Sequence, residues 1–282
     1  MINTLLVALL CAVQDPRVEK DVPVPMRDGL RLATDVYLPA GPGPFPVVLC
    51  RTPYNKDGER GNAAYFQKNG YAYVAQDTRG RYKSDGEWAF LRDDGRDGAD
   101  CIAWVARQPW CSGKIGMIGT SYVGGTQHAA AMEKPEALTT AIPVDAVSNM
   151  GRQSMRNAGA FELRFWNWIM LQSAKGSRAS RDPATQAVLQ EMSDHRLKYL
   201  PHLPLRRGTT PLALAPEYED WLIEAMRHGA NDAFWEAAAV VDHPERYKDM
   251  PLLIVCGWYD SWAGNSTANY LALAPRFKNP VH

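Results

Sequence analysis

Gly113-Lys114-Ile115-Gly116-Met117-Ile118-Gly119-Thr120-Ser121-Tyr122-Val123-Gly124-Gly125 carries an apolar, strand-like run (Ile115 to Ile118) into a glycine-flanked serine. An alanine-rich helical pattern, Thr126-Gln127-His128-Ala129-Ala130-Ala131, follows directly. A serine at such a strand-to-helix turn is held in strained backbone angles. Its neighbours must therefore be small, and its hydroxyl is presented at the carboxyl end of the sheet. The helix N-terminus behind it offers backbone N–H groups and a positive dipole to a developing oxyanion. The pattern departs from strict G-x-S-x-G, because Val123 occupies the second position after Ser121 and the next glycine comes at the third. A glycine-rich turn of this kind also cradles phosphate. From these residues alone, Ser121 is a candidate nucleophile and phosphate binding is the alternative.

Outward from this turn the chain reads as an α/β protein. Asp21 to Pro39 carries two short alternating runs around Arg27-Asp28-Gly29, which predicts an antiparallel hairpin. After the Gly/Pro cluster Ala40 to Pro46 come continuous apolar runs at Val47–Cys50, Tyr71–Ala75, Ile115–Ile118, Thr140–Val144 and Leu252–Cys256. Runs of this type are buried on both faces of a parallel sheet. Helical patterns at Gly98–Arg107 and Gly125–Glu133 alternate with them. Between residues 150 and 240 the strand signals stop. Aromatic and aliphatic residues recur there at helical spacing, as in FELRFWNWIMLQ (161–172) and YEDWLIEAM (218–226). This predicts a helical cap inserted into an α/β core of residues 21–149 and 241–282. Its aromatic residues fit both a cap core and the walls of an apolar substrate pocket, with Phe165, Trp166, Trp168 and, outside the cap, Trp258 as pocket candidates.

The 282 residues carry 31 Lys plus Arg and 31 Asp plus Glu, a formal net charge of zero. Such a balance has no electrostatic footprint for nucleic acid or anionic lipid. The five cysteines include no C-x-x-C pair, so neither a zinc site nor a redox motif is expected, and the one disulfide pairing left open is Cys101 with Cys111. Residues 1–20 are expected to be a signal peptide or a tail, because Met1 to Val13 is apolar but too short to span a bilayer. A secreted or periplasmic location follows from the signal-peptide reading, and a cytoplasmic one from the tail.

A serine nucleophile needs a base, and the base needs a carboxylate to orient it. Asp260, just after the run Leu252–Cys256 and the turn Gly257-Trp258-Tyr259, falls at the same sheet edge as Ser121. It also fits the N-cap of a helix starting near Ser261. His128, His195, His202, His228 and His243 lie in helical or inserted segments and read as surface or packing residues.

Several ordered motifs resemble α/β-hydrolases of the cocaine esterase (CocE/NonD) group, relatives of X-prolyl dipeptidyl peptidases and α-amino-acid ester hydrolases. They are VPMRDGLRLATDVYLP (24–39), RTPYNK (51–56), QDTRGRYKSDGEW (76–88), WCSGKIGMIGTSYVGG (110–125), NDAFW (231–235) and GWYD (257–260). The resemblance implies an α/β-hydrolase fold, Ser121 as nucleophile and Asp260 as triad acid. It further implies an oxyanion hole from the Tyr54 hydroxyl and the Tyr122 backbone N–H, with no metal and no organic cofactor. Asp77, Arg79 and Asp85 look like residues that fix loops. By the same resemblance the triad histidine belongs to a Gly-Pro-Trp-x-His-like segment beyond a strand starting near Val281. The expectation is therefore a chain that stops before its base and before the family's C-terminal β-sandwich. The implied substrates are small-molecule esters or short peptides. Esterase activity leads, with X-prolyl peptidase activity and a non-catalytic binding role or gene fragment as alternatives. Gly151 to Met155, where the amino-acid ester hydrolases place an ammonium-binding acidic cluster, has no carboxylate; Glu162 and Asp145 are the substitutes to consider.

Overall fold

The computed structural model describes residues 15–282. The apolar stretch Met1 to Val13, and with it Cys11, lies outside the described residues. Strand β1 (Arg17–Pro25) pairs antiparallel with β2 (Arg31–Leu38) around the expected turn, closed by the Met26 N–H donating to the Leu30 carbonyl. β1 thus begins at Arg17, inside the span expected to be a tail. Then come β3 (Phe45–Thr52), helix α1 (Arg60–Lys68), β4 (Ala72–Asp77), α2 (Asp94–Ala106), β5 (Cys111–Thr120), α3 (Tyr122–Met132) and β6 (Leu138–Val144). The sheet order is β1-β2-β4-β3-β5-β6, with β2 antiparallel to β4 and the pairs β3–β4, β3–β5 and β5–β6 parallel.

The apolar runs are continuous because both faces of the parallel strands are covered. Val47 and Leu49 of β3 pack with Cys101, Ile102 and Ala130 of α2 and α3, whereas Val48 and Cys50 pack with Ala63 and Phe66 of α1. The Leu252–Cys256 run departs from its expected double burial. It joins the sheet through parallel bridges, Leu252 to Ala141 and Val255 to Val144 on one side and Leu252 to Val281 on the other. Leu252 is buried, but Leu253 and Val255 remain 43% and 39% exposed, and Cys256 is half-buried. An apolar run takes up both faces only where layers pack on both sides, and here one face stays open. Cys101 and Cys111 are unpaired, and Cys50 and Cys256 are free thiols too.

Between β6 and Leu252 lie the short helix α4 (Met150–Gln153), a two-residue-per-strand hairpin at 156–161, and helices α5 (Leu163–Ala174), α6 (Pro183–Asp194) and α7 (Pro216–Arg227). Trp166, Tyr218, Trp221 and Trp235 form a core there that also takes in Trp88, Phe90 and Tyr122. The helical layer is therefore packed onto the turn that carries Ser121. A last helix, α8 (Ala263–Leu273), follows the GWYD segment. Among the described residues, no helix is long and apolar enough to cross a membrane.

Candidate active site

In an open α/β sheet, ligands bind beyond the carboxyl ends of the strands, where neighbouring strands connect in opposite directions. Here that point lies between β3 and β5: the chain leaves β3 for β4 on one side, and β5 returns on the other. The first residues past these two ends include Tyr54 and Ser121.

Ser121 has φ 64° and ψ −122°, the strained elbow conformation expected from its glycine-flanked setting. Its N–H donates to the Val144 carbonyl of β6, and its own carbonyl accepts from Gly125 and Val147. The small neighbours are required sterically. A Cβ on Gly119 would lie 2.1 Å from Val123 Cγ1, one on Gly124 2.5 Å from the Ala146 Cβ, and one on Gly125 2.7 Å from the Val147 carbonyl oxygen. Tyr122 opens α3, so its backbone N–H belongs to the first turn, which has no intrahelical acceptors. Its buried hydroxyl donates to Asp94 Oδ2 (2.8 Å) and accepts from the Leu91 N–H. Asp94 is in turn ion-paired with the buried Arg51 at 3.0 Å. The elbow is thereby anchored from beneath.

The RTPYNK motif holds Tyr54 residue by residue. The Thr52 hydroxyl oxygen accepts from the Tyr54 N–H, and the Pro53 carbonyl accepts from Arg81 Nε. Asn55 sits at φ 83° with its side chain capping Asp57, and buried Lys56 pairs with Asp21 and Asp35 at 2.6 and 2.9 Å. Arg81 also donates to the Gln172 carbonyl and side chain at the end of α5 and to the Lys175 carbonyl, tying the Tyr54 loop to the helical layer. The three loop-fixing candidates act in different ways. Asp77 accepts from the Lys56 N–H, Arg79 bridges Asp97 and Asp28, and Asp85 contributes through its backbone to Gly80 and Arg31. Burial pushes the Asp77 carboxyl up to about 6.

The Tyr54 hydroxyl accepts from Trp168 Nε1 at 3.3 Å and is hydrogen-bonded to the Ser121 side chain. Packing around it raises its pKa above the ordinary phenol value, with those two bonds opposing the shift. The phenol is therefore protonated at neutral pH and able to donate, although 38% of the residue is exposed. Ser121 lies in a cavity of about 150 Å³ walled by Tyr54, Phe90, Tyr122, Phe165, Trp168 and Trp262, with Arg164 as the one charged residue in its lining. A larger hollow of about 570 Å³ meets Ser121 from the other side, past Asn55, Glu59 and Tyr73. There Glu59 accepts from the Tyr73 hydroxyl and from Asn62.

The structure thus brings together Ser121, Tyr54, Tyr122, Phe165 and Trp168. Two pocket candidates are misplaced. Trp166 is fully buried in the helical core, because it points to the other side of α5 from Phe165 and Trp168, which are three residues apart and share a face. Trp258 is 90% exposed and lines a separate hollow that also holds His282. Asp260 lies outside the Ser121 cavity. One of its carboxylate oxygens accepts from the Trp262 N–H at 2.7 Å, as a cap for the turn entering α8, and its carboxylate lies within 4.8 Å of Asp145 and Cys256. Among the described residues, no histidine lines either hollow at Ser121. His128 is buried against the Tyr247 hydroxyl at 2.9 Å, with burial lowering its pKa to about 4, so it is neutral. His282 pairs through its backbone with Leu252 and Ile254.

Phe90, Arg164 and Trp262 line the cavity and were missed by sequence reading. Arg164 and Phe165 stand four and three residues before Trp168, a spacing that places all three along one side of α5. Trp262 follows GWYD by two residues.

The model of the X-Pro dipeptidyl-peptidase (S15 family) matches residues 28–278. The chain belongs to the S15 family. Cocaine esterase from Rhodococcus sp. (strain MB1 Bresler) is 34% identical over an alignment covering 91% of this chain and 46% of that protein. Among solved structures, an α-amino-acid ester hydrolase superposes with a TM-score of 0.70 at 26% identity, covering 96% of this chain and 48% of the other. A CocE/NonD family hydrolase from Staphylococcus aureus shares the fold with a TM-score of 0.68 at 24% identity, covering 95% and 46%. The S15 chain described here spans about half the length of these relatives, and its mostly parallel sheet with flanking helices matches theirs.

Proposed function

We propose that the chain carries the nucleophile-bearing part of a serine hydrolase that cleaves carboxylic esters through an acyl-enzyme on Ser121. The observation that carries this reading is the convergence of the strained Ser121, the protonated Tyr54 hydroxyl bonded to it and the first-turn N–H of Tyr122 on one aromatic cavity. In the first step the Ser121 oxygen bonds to the ester carbonyl carbon. The carbonyl oxygen, becoming anionic, accepts from the Tyr54 O–H and the Tyr122 N–H. The bond to the alkoxy oxygen then breaks, and the alcohol leaves with the proton that serine gave up. Water then repeats the sequence on the acyl-enzyme, freeing the acid and restoring the hydroxyl. Asp260 is the proposed orienter of the base, which none of the described histidines supplies at Ser121.

The acyl group fits the small aromatic hollow, whose 150 Å³ is about the volume that accommodates one benzene ring. The larger hollow suits the leaving group. Ester cleavage is favoured over release of X-Pro dipeptides because a peptide's terminal ammonium calls for a carboxylate. None lines the aromatic cavity. Glu162 is paired with Arg164, and Asp145 accepts from the Gly257 N–H.

The test is intact-mass spectrometry after exposure to p-nitrophenyl benzoate, with Ala-Pro-p-nitroanilide in parallel. The expected result is one added benzoyl group, lost in Ser121→Ala, and no reaction with the anilide. Equal acylation of Ser121→Ala would overturn the assignment.

A further inference from the structure

A cleft of about 670 Å³, larger than either hollow at Ser121, lies between the first turn of α2, the last turn of α3 and one face of α7. Of its lining residues only Phe90 also borders the aromatic cavity at Ser121, and Phe90 is stacked against Trp221 at 5.3 Å. The cleft is thus a separate space behind that wall. We propose that it binds an organic cation, an ammonium carried on an aromatic or alicyclic body, independently of the chemistry at Ser121.

The volume is that of a small-molecule site. Trp221 and the half-buried Phe234 meet at 6.3 Å on its apolar side, and the small residues Ala89, Ala233 and Ala237 leave the space beside them open. The charge of the lining is one-sided, six carboxylates against three arginines. Arg92 and Arg96 are each taken up by Asp93 at 3.0 Å, and Arg246 faces Glu133. Glu217, Asp220 and Glu224 follow one another along α7 at helical spacing, over about 10 Å. Asp220 and Glu224 have their own arginine partners, Arg207 and Arg227. Glu217 and Glu87 have no ion pair among the described residues. Burial, and after it the charge of Glu87, raises the Glu217 carboxyl above its ordinary pKa. A cation placed between these two carboxylates relieves both effects, and the aromatic rings beside them favour a positive charge as well. An anion meets repulsion here. A bare metal ion is not suited either, because the carboxylates are strung along a helix; the one metal-like grouping among the described residues is Asp145, Cys256 and Asp260, elsewhere in the fold.

The test is isothermal titration calorimetry of the full chain at pH 7 with 2-(1-naphthyl)ethylammonium and with the neutral 2-(1-naphthyl)ethanol. The ammonium should bind about tenfold more tightly, the lower end for a charge-assisted contact at a half-open site. In the Glu87→Gln/Glu217→Gln double variant that preference should vanish while the alcohol binds as before. Neither glutamate lines a hollow at Ser121, so the loss locates the ammonium in the cleft. Ala233→Trp, at an exposed position of the cleft wall, should weaken both ligands, with urea melts confirming that each variant is folded. Equal affinity of the two ligands for the wild type, or heat from neither, overturns the proposal. So does a preference for the ammonium that survives in the double variant, or an ammonium affinity that Ala233→Trp leaves unchanged.

Discussion

Tyr54→Phe separates oxyanion stabilisation from the structural work of the Tyr54 loop. The substitution removes one hydroxyl and keeps the ring that meets Trp168 edge to face at 6.4 Å. The loop is fixed by other groups: the Pro53 carbonyl on Arg81, Thr52 on the Tyr54 N–H, and Lys56 in its ion pairs. The hydroxyl makes one long bond, 3.3 Å from Trp168, and one with the Ser121 side chain, at a site that remains more than a third exposed. Folding stability should therefore change by less than about 1 kcal/mol. In the proposed mechanism the transition state, in contrast, loses one of two donors to the forming oxyanion. Removal of such a donor costs about 10²- to 10³-fold in rate, or about 2.7–4 kcal/mol. The assay is the rate of p-nitrophenolate release on acylation, beside a urea melt of the same preparation. Acylation within a few-fold of wild type, with the melt unchanged, would refute the role of Tyr54. A large loss of stability would refute the claim that its loop is held independently.

Gly124→Ala should destabilise the protein by about 1–3 kcal/mol in urea unfolding, because its Cβ would meet Ala146 Cβ at 2.5 Å and Cα at 2.9 Å, and backbone there cannot swing aside. Asp77, raised to about 6 by burial, should make the protein less stable as pH rises from about 4 through 6, because the folded form holds the proton longer than the unfolded one. Asp77→Asn keeps an acceptor for the Lys56 N–H and should flatten this pH dependence relative to wild type by roughly 2 kcal/mol, read from urea melts at pH 4.5 and 7.

The α/β class, the hairpin, the parallel strands and the elbow were legible in the residues alone, because each depends on local rules. Apolar runs mark strands covered on both faces, and small residues at 119, 124 and 125 are required wherever a strand turns sharply into a packed helix. Tyr54 stood out only through the family resemblance of RTPYNK, because from the residues alone it reads equally as a packed loop aromatic; in the structure almost every residue of that motif has a fixed partner. Which aromatic residues meet Ser121 is set by packing across the whole fold. Phe165, Trp166 and Trp168 look equivalent in a string of letters, but the rotation of α5 sends Trp166 into the core and turns its two neighbours, with Arg164, to the cavity. Trp258 and Trp262 flank the same short turn, and only the start of α8 buries the second and leaves the first in solvent. Contacts of this kind depend on how helices are set against the sheet, which is fixed by the sum of many distant packings rather than by neighbouring residues.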